Sequence, residues 1–245
     1  YINRSGAYRA KGDFDRALAN LDEALRLDPK SALALLERAS IYHAKGEFDR
    51  AIADYDGAIA AQPKSAAAFS GRGETYRAKN DLDRAIADYD KALQLDENLV
   101  TAYGGRAGAY RGKGDLDKAL ADFDEAVKLD PKSALTHVDR GAIYQAEGDL
   151  DRAIADYDEA IEIDPNYANA FLTRANAYRG KHDLERAKED LEAALRLDPQ
   201  LAPAKDALDE VNRLIAKSAA PLTVAAPTVP AAPAANPILL VLLML

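Results

Sequence analysis

The side chains able to do chemistry in this chain recur at a fixed interval. Arginine falls at Arg4, Arg38, Arg72, Arg106, Arg140 and Arg174, each 34 residues from the last, and a carboxylate keeps the same interval at Asp22, Asp56, Asp90, Asp124, Asp158 and Glu192. A guanidinium fork matches a carboxylate in bidentate geometry, so two rows of equal period point to a ladder of ion pairs within the chain. A second, mostly cationic row runs through Arg9, His43, Arg77, Arg111, Gln145 and Arg179, with Lys11, Lys45, Lys79, Lys113 and Lys181 two residues further on. Cations so placed complement the negative end of a helix dipole. The same ridge suits an anionic or polar partner.

No catalytic constellation accompanies these rows. His43, His137 and His182 fall at unrelated places in the period and are not expected to converge on a metal. Asp115/Asp117 and Asp149/Asp151 look like the start of calcium loops, but no twelve-residue loop with its central glycine and terminal glutamate follows, and helix capping accounts for them. No Gly-x-Ser-x-Gly elbow, phosphate-cradling glycine loop or His-Glu-x-x-His occurs, so the expectation is a protein that is not an enzyme and holds no cofactor. With no cysteine there are no disulfides or zinc–thiolate sites, which leaves cytoplasm, ranked first, and periplasm both open. The net charge of −9 argues against a nucleic-acid partner.

The elements that position these rows follow from the period itself. Proline recurs at Pro29, Pro63, Pro131, Pro165 and Pro199, with Glu97 in the remaining slot. If that slot is numbered 32 of 34, position 11 is always tyrosine, from Tyr8 to Tyr178, and positions 20 and 27 are always alanine. Position 24 is large: Leu21, Tyr55, Tyr89, Phe123, Tyr157 and Leu191. Within 134–167, Ala134 to Ala146 and Asp149 to Ile163 each carry apolar residues at helical spacing. Between them, position 15 is Gly, Asn or His, types that tolerate a left-handed backbone, and position 16 is always acidic, suiting a helix N-cap. The period predicts a stack of two-helix units, each covering its neighbour's apolar face.

This pattern resembles the tetratricopeptide repeat family, whose units carry an aromatic at position 4, a small residue at 8, Tyr at 11, Ala at 20, a large residue at 24 and Pro at 32. Position 4 here is Tyr1, Leu35, Phe69, Tyr103, His137 and Phe171, and position 8 is Ser5, Ala39, Gly73, Ala107, Gly141 and Ala175. The departure is arginine at position 7, where the family has leucine. The resemblance implies an all-α, right-handed superhelical solenoid of antiparallel helix pairs. It divides the chain into units 1–31, 32–65, 66–99, 100–133, 134–167 and 168–201, then a solvating helix over 202–217. It also implies a concave groove lined by the first helix of each unit, where positions 2, 5, 9 and 12 face a partner. The candidate partner-binding residues are Leu36, Ser40, Ser70, Glu74, Arg77, Gly104, Gly108, Arg111, Val138, Ala142, Leu172, Asn176 and Arg179, a shallow apolar trough beside the cationic ridge. The lysines and asparagines with which some family members clamp acidic C-termini are not in place.

The chain begins at Tyr1, part-way through a repeat, which suggests a fragment or processed product. Residues 218–237 read as an Ala/Pro-rich linker and 238–245 as an apolar tail, whose eight residues fall short of the roughly 20 that span a bilayer. No membrane role is expected; self-association through this tail, docked in a groove, is. The functional expectation is a protein-interaction scaffold that binds a protein or peptide segment. The alternatives are a regulatory or targeting array cut from a larger protein and an envelope assembly adaptor.

Overall fold

The computed structural model describes residues 1–219, and every regular element within them is a helix. In order these are α1 (Ile2–Ala10), α2 (Phe14–Leu27), α3 (Ala32–Ala44), α4 (Phe48–Ala61), α5 (Ala66–Ala78), α6 (Leu82–Leu95) and α7 (Val100–Lys113), then α8 (Leu116–Leu129), α9 (Ala134–Ala146), α10 (Leu150–Ile163), α11 (Ala168–Gly180), α12 (Leu184–Leu197) and α13 (Ala202–Ala219). Each odd-numbered helix lies against the even-numbered one that follows it, and that helix lies against the next pair. The result is a solenoid. Successive odd-numbered helices also touch one another, which puts them on the inner side of the stack, but α7 and α9 approach less closely than the other such pairs. None of the described helices is long and apolar enough to cross a membrane.

The turn inside each pair is set by one left-handed residue. Gly12, Gly46, Gly114 and Gly148 have φ between 74° and 83°, and Asn80 and His182 take 61°. Around them the backbone N–H at position 16 donates to the carbonyl of the position 11 tyrosine, as in Asp81 to Tyr76 at 2.8 Å, and the N–H at position 15 donates to position 12, as in Asn80 to Arg77 at 2.9 Å. This double closure satisfies carbonyls that a helix end leaves free. The next helix is then capped by Asp13, Asp81, Asp115, Asp149 or Asp183, whose side chain accepts from the N–H three residues on. Glu47, one methylene longer, makes no such bond and pairs with Arg50 instead, at 2.6 Å. Except after α4, where Gln62 stands in the place, the turns between pairs are held by an aspartate accepting from the backbone two residues later, and Asp96 does so from Asn98 at 3.0 Å although Glu97 replaces the proline. The proline is therefore not what closes the turn.

The seam of the stack is built from the invariant apolar positions. The position 20 alanines are completely buried, and Leu21, Tyr55, Tyr89, Phe123, Tyr157 and Leu191 are all at most 5% exposed. Tyrosine at position 24 demands space from its neighbours: a Cβ on Gly71 would meet the Tyr55 ring at 2.6 Å, and one on Gly105 would overlap the ring of Tyr89. Where the preceding residue is Leu21 or Phe123, the matching position 6 holds Glu37 or Asp139. The position 11 tyrosines are roofed by cations at position 19, with Arg84, Arg152 and Arg186 each 4.4 Å from the ring centroid of Tyr76, Tyr144 or Tyr178.

The expected arginine ladder forms, and it is double. Arg106 donates through Nη1 to Asp90 of the preceding pair at 2.5 Å, the rung legible in the sequence. It also grips Asp122 of its own pair in a fork, Nε to Oδ2 at 2.8 Å and Nη2 to Oδ1 at 2.6 Å. Arg38, Arg72, Arg140 and Arg174 repeat this with Asp54, Asp88, Asp156 and Asp190. The fork carboxylates are buried, whereas the ones across the joint are about half exposed. At the first rung Asn20 takes the place of the forked aspartate and accepts from Arg4 Nε. A second ladder links Lys45, Lys79, Lys113 and Lys181 to Asp15, Asp49, Asp83 and Asp151 of the preceding pair. Between α8 and α9 that rung is missing, because Glu147 stands where the lysine would face Asp117.

At the other end, α13 puts Leu208 and Ile215 where the ladders would place arginine and lysine, and packs them on the Leu191 cluster with Val211 fully buried. This helix continues two residues beyond the expected end at 217. Ser218 and Ala219 are helix-compatible and no proline occurs before Pro221, so the linker composition overstated where the helix stops. The remainder of the expected linker and the apolar tail 238–245 lie outside the described residues. Truncating the buried fork should cost far more than truncating the exposed rung. In urea denaturation, Asp122→Ala is expected to lose about 3 kcal/mol, because it strands a half-buried guanidinium. Asp90→Ala should lose less than about 1 kcal/mol. Equal losses would contradict this division.

Candidate binding groove

All the candidate groove residues lie on the inner helices α3, α5, α7, α9 and α11. Their surroundings differ from the expected apolar trough. Val138 is 4% exposed, packed with Ala153 and Tyr157, and Leu172 is 8% exposed, packed in the Leu191 cluster, so neither offers apolar surface to a partner. Leu36 is half-buried against the first core clusters. At Val138 and Leu172, position 5 points into the seam, whereas at Gly104 it faces the open groove. The exposed apolar side chains of the inner face are at position 2 instead: Leu33 at 56% and Leu135 at 58% exposure. Ser40, Ser70 and Ala142 are half-buried, with Ser40 Oγ donating to the carbonyl of Glu37 at 2.8 Å.

The cationic ridge is engaged along its length. Arg9 lies 3.6 Å from Glu37, Arg77 forks Glu74 at 2.9 and 2.5 Å, and Arg111 lies 3.6 Å from Asp139. Arg179 donates to Asn176 at 3.0 Å and to Glu210 of α13. His43 and Gln145 are bonded to Thr75 and Tyr157, at 3.1 and 3.0 Å. His137 is buried between the carbonyl of Pro131 and Asp156, far along the stack from His43. Arg77, Arg179, His43 and Gln145 are thus closed by hydrogen bonds, whereas Arg9 and Arg111 approach Glu37 and Asp139 without bonding them.

One cavity gathers five of the candidates. It occupies about 440 Å³ where α7 and α9 stand apart, and it is lined by Glu74, Arg77, Gly104, Gly108 and Arg111 together with Leu135 and Asp139, which were not among the candidates. The Cβ position of Gly104 faces open space, while that of Gly108 meets only the Arg77 side chain, nearest atom 3.6 Å away. Tyr89 donates to Glu74 at 2.7 Å. Burial opposes ionisation of Glu74, but the bonds from Arg77 and Tyr89 outweigh it and hold the carboxyl below its ordinary value. Asp139 has no such help: burial pushes its pKa up, with Arg111 and Arg77 pulling only partly against it. Both missed residues had a signal. Position 2 belongs to the groove set, and position 6 switches from glycine to acid only where position 24 lacks a phenol.

Two outcomes test this geometry. Gly104→Ala should stabilise the protein by about 0.5–1 kcal/mol, because the methyl meets nothing and the helix loses a flexible residue. Gly105→Ala one residue away should destabilise it by about 1–3 kcal/mol through the Tyr89 clash. Asp139→Asn should raise the melting temperature at neutral pH. An acid whose folded pKa is raised penalises folding once ionised, so the difference should fade as pH falls through that pKa and vanish below the unfolded value of about 3.9. A constant difference across that window would contradict the burial of Asp139.

Comparison with known proteins agrees with this architecture. Models described as tetratricopeptide repeat match residues 6–66, 44–99 and 168–201, and one described as TPR repeat matches 107–148 and 141–182. No curated protein sequence matches the chain. Among solved structures, YrrB, described as a TPR protein with an unusual peptide-binding site, is 25% identical with a TM-score of 0.60, over 77% of this chain and 97% of its own. MamA is also 25% identical at a TM-score of 0.60, over 71% of this chain and 95% of its own. PilW, a type IV pilus biogenesis factor, shares the fold at 21% identity and a TM-score of 0.79, over 84% of this chain and 96% of its own. With family matches running almost continuously from residue 6 to 201, and the turns, caps and seam in place behind them, the chain belongs to the tetratricopeptide repeat family.

Proposed function

We propose that this array is a non-enzymatic interaction scaffold that receives a segment of a partner protein on its inner face, at the cavity between α5, α7 and α9. The observation that carries this reading is Gly104. Glycine inside a helix costs stability relative to alanine, and here no neighbour needs the space. What the missing side chain does is keep the cavity floor open for something that approaches the helix backbone closely. The likeness to YrrB, whose described feature is a peptide-binding site, supports a peptide as the occupant. The exposed Leu135 at the rim supplies apolar surface, and the closed ion pairs around it give directional polar groups without a net attraction for anions.

Peptides selected from a random display library against the full chain should compete for one site. Their affinity should fall at least about tenfold, or roughly 1.4 kcal/mol, in Gly104→Leu, which fills the cavity and leaves the helix intact. Glu159→Leu on the exposed face of α10 should have no effect. Selected peptides that bind Gly104→Leu as tightly as the parent would place the interaction elsewhere.

A further inference from the structure

Position 6 of the repeat is Asn3, Glu37, Gly71, Gly105 and Thr173 elsewhere in the array, and of its two acids Asp139 is the one that lines the cavity over Gly104 and Gly108. Among the described residues Asp139 takes no hydrogen bond, and its nearest cation, Arg111 Nη1, stays at 3.6 Å, beyond hydrogen-bond distance. The other arginine of the cavity is closed off by its fork to Glu74. Asp130 lines the rim of the same cavity but is exposed and accepts from the backbone N–H of Lys132 at 3.2 Å, which leaves Asp139 as the carboxylate within the cavity that takes no hydrogen bond. The Asp139 side chain is 36% exposed, so a carboxylate with no protein donor stands open to an incoming cation, with which it would form a charge-assisted hydrogen bond.

Building on the groove reading above, we propose that the partner segment is basic: a lysine or arginine side chain enters over Gly104 and Gly108 to hydrogen-bond Asp139, and an aliphatic neighbour rests on Leu135. Three features converge on this partner. Gly104 and Gly108 leave a path along the surface of α7 to the carboxylate, Leu135 stands 58% exposed beside it, and the whole chain carries −9, which steers a cationic segment toward the surface. An acidic segment would have to displace Asp139 from Arg111 or Glu74 from Arg77, and would leave a carboxylate uncompensated in either case.

The test uses end-capped, fluorescein-labelled nonapeptides of one Ala/Leu background with Lys, Arg, Gln or Glu at the central position, titrated against the full chain by anisotropy. Lysine and arginine peptides are expected to bind about tenfold or more tighter than the glutamine peptide, with the glutamate peptide weakest. Asp139→Asn should erase the ranking while keeping affinity for the glutamine peptide, and added salt should compress it in the parent protein. Helical content of Asp139→Asn serves as the folding control. A flat or glutamate-favouring series that Gly104→Leu abolishes would overturn the basic partner and leave the groove standing. A series indifferent to Gly104→Leu, or no binding by any peptide, would overturn both.

Discussion

The position 7 arginine is the bond on which the stack depends. One guanidinium holds its own pair together through a buried, bidentate aspartate and holds the preceding pair through a more exposed one. Five arginines do this with the same atoms, Nε and Nη2 inward and Nη1 across the joint. Because a planar fork accepts its partners only in fixed directions, the arrangement sets the register of neighbouring pairs as well as joining them. A leucine at this position would fill volume without specifying an angle. The ladder stops where α13 substitutes leucine and isoleucine, and the stack closes there on apolar contact and the Arg179 bond to Glu210.

Joint geometry in turn decides the chemistry of the inner face. A tyrosine at position 24 reaches through to the next inner helix and allows only glycine at position 6, as Tyr55 does at Gly71 and Tyr89 at Gly105. Phe123 and Leu21 stop short, and an acid occupies the space. Core and inner face therefore do not vary independently: an acid at position 6 occurs only where the preceding position 24 lacks a phenol. Tyr157 is a different solution, with its hydroxyl turned to Gln145 so that Thr173 is accommodated.

Periodicity made the architecture legible. Helix pairs, the left-handed turn residue, the acidic caps and the arginine-to-carboxylate rung across the joint all repeat without exception, and repetition is what a lone sequence displays. The forked aspartates Asp54, Asp88, Asp122, Asp156 and Asp190 repeat in every unit but the first, which has Asn20, yet each lies two residues from a cross-joint acid, and spacing alone does not say which of two carboxylates turns inward. The groove was the harder part. Val138 and Leu172 occupy a position expected to face the groove, and packing on α10 and on the Leu191 cluster buries them. Asp139 and Leu135 sit at positions 6 and 2, whose residue types change from unit to unit, and a reading built on recurrence discounts such positions.

The gap in the lysine ladder gives the solenoid unequal stiffness along its length. At every other internal joint a lysine ties the outer turn of one pair to the next, and inner helices brace one another; at the joint between α8 and α9, Asp117 faces Glu147 and the brace between α7 and α9 is weakened. Two well-braced blocks thus meet at a compliant joint, and that joint opens into the cavity. A gap in the outer ladder and a gap in the inner face thus fall at the same place along the array.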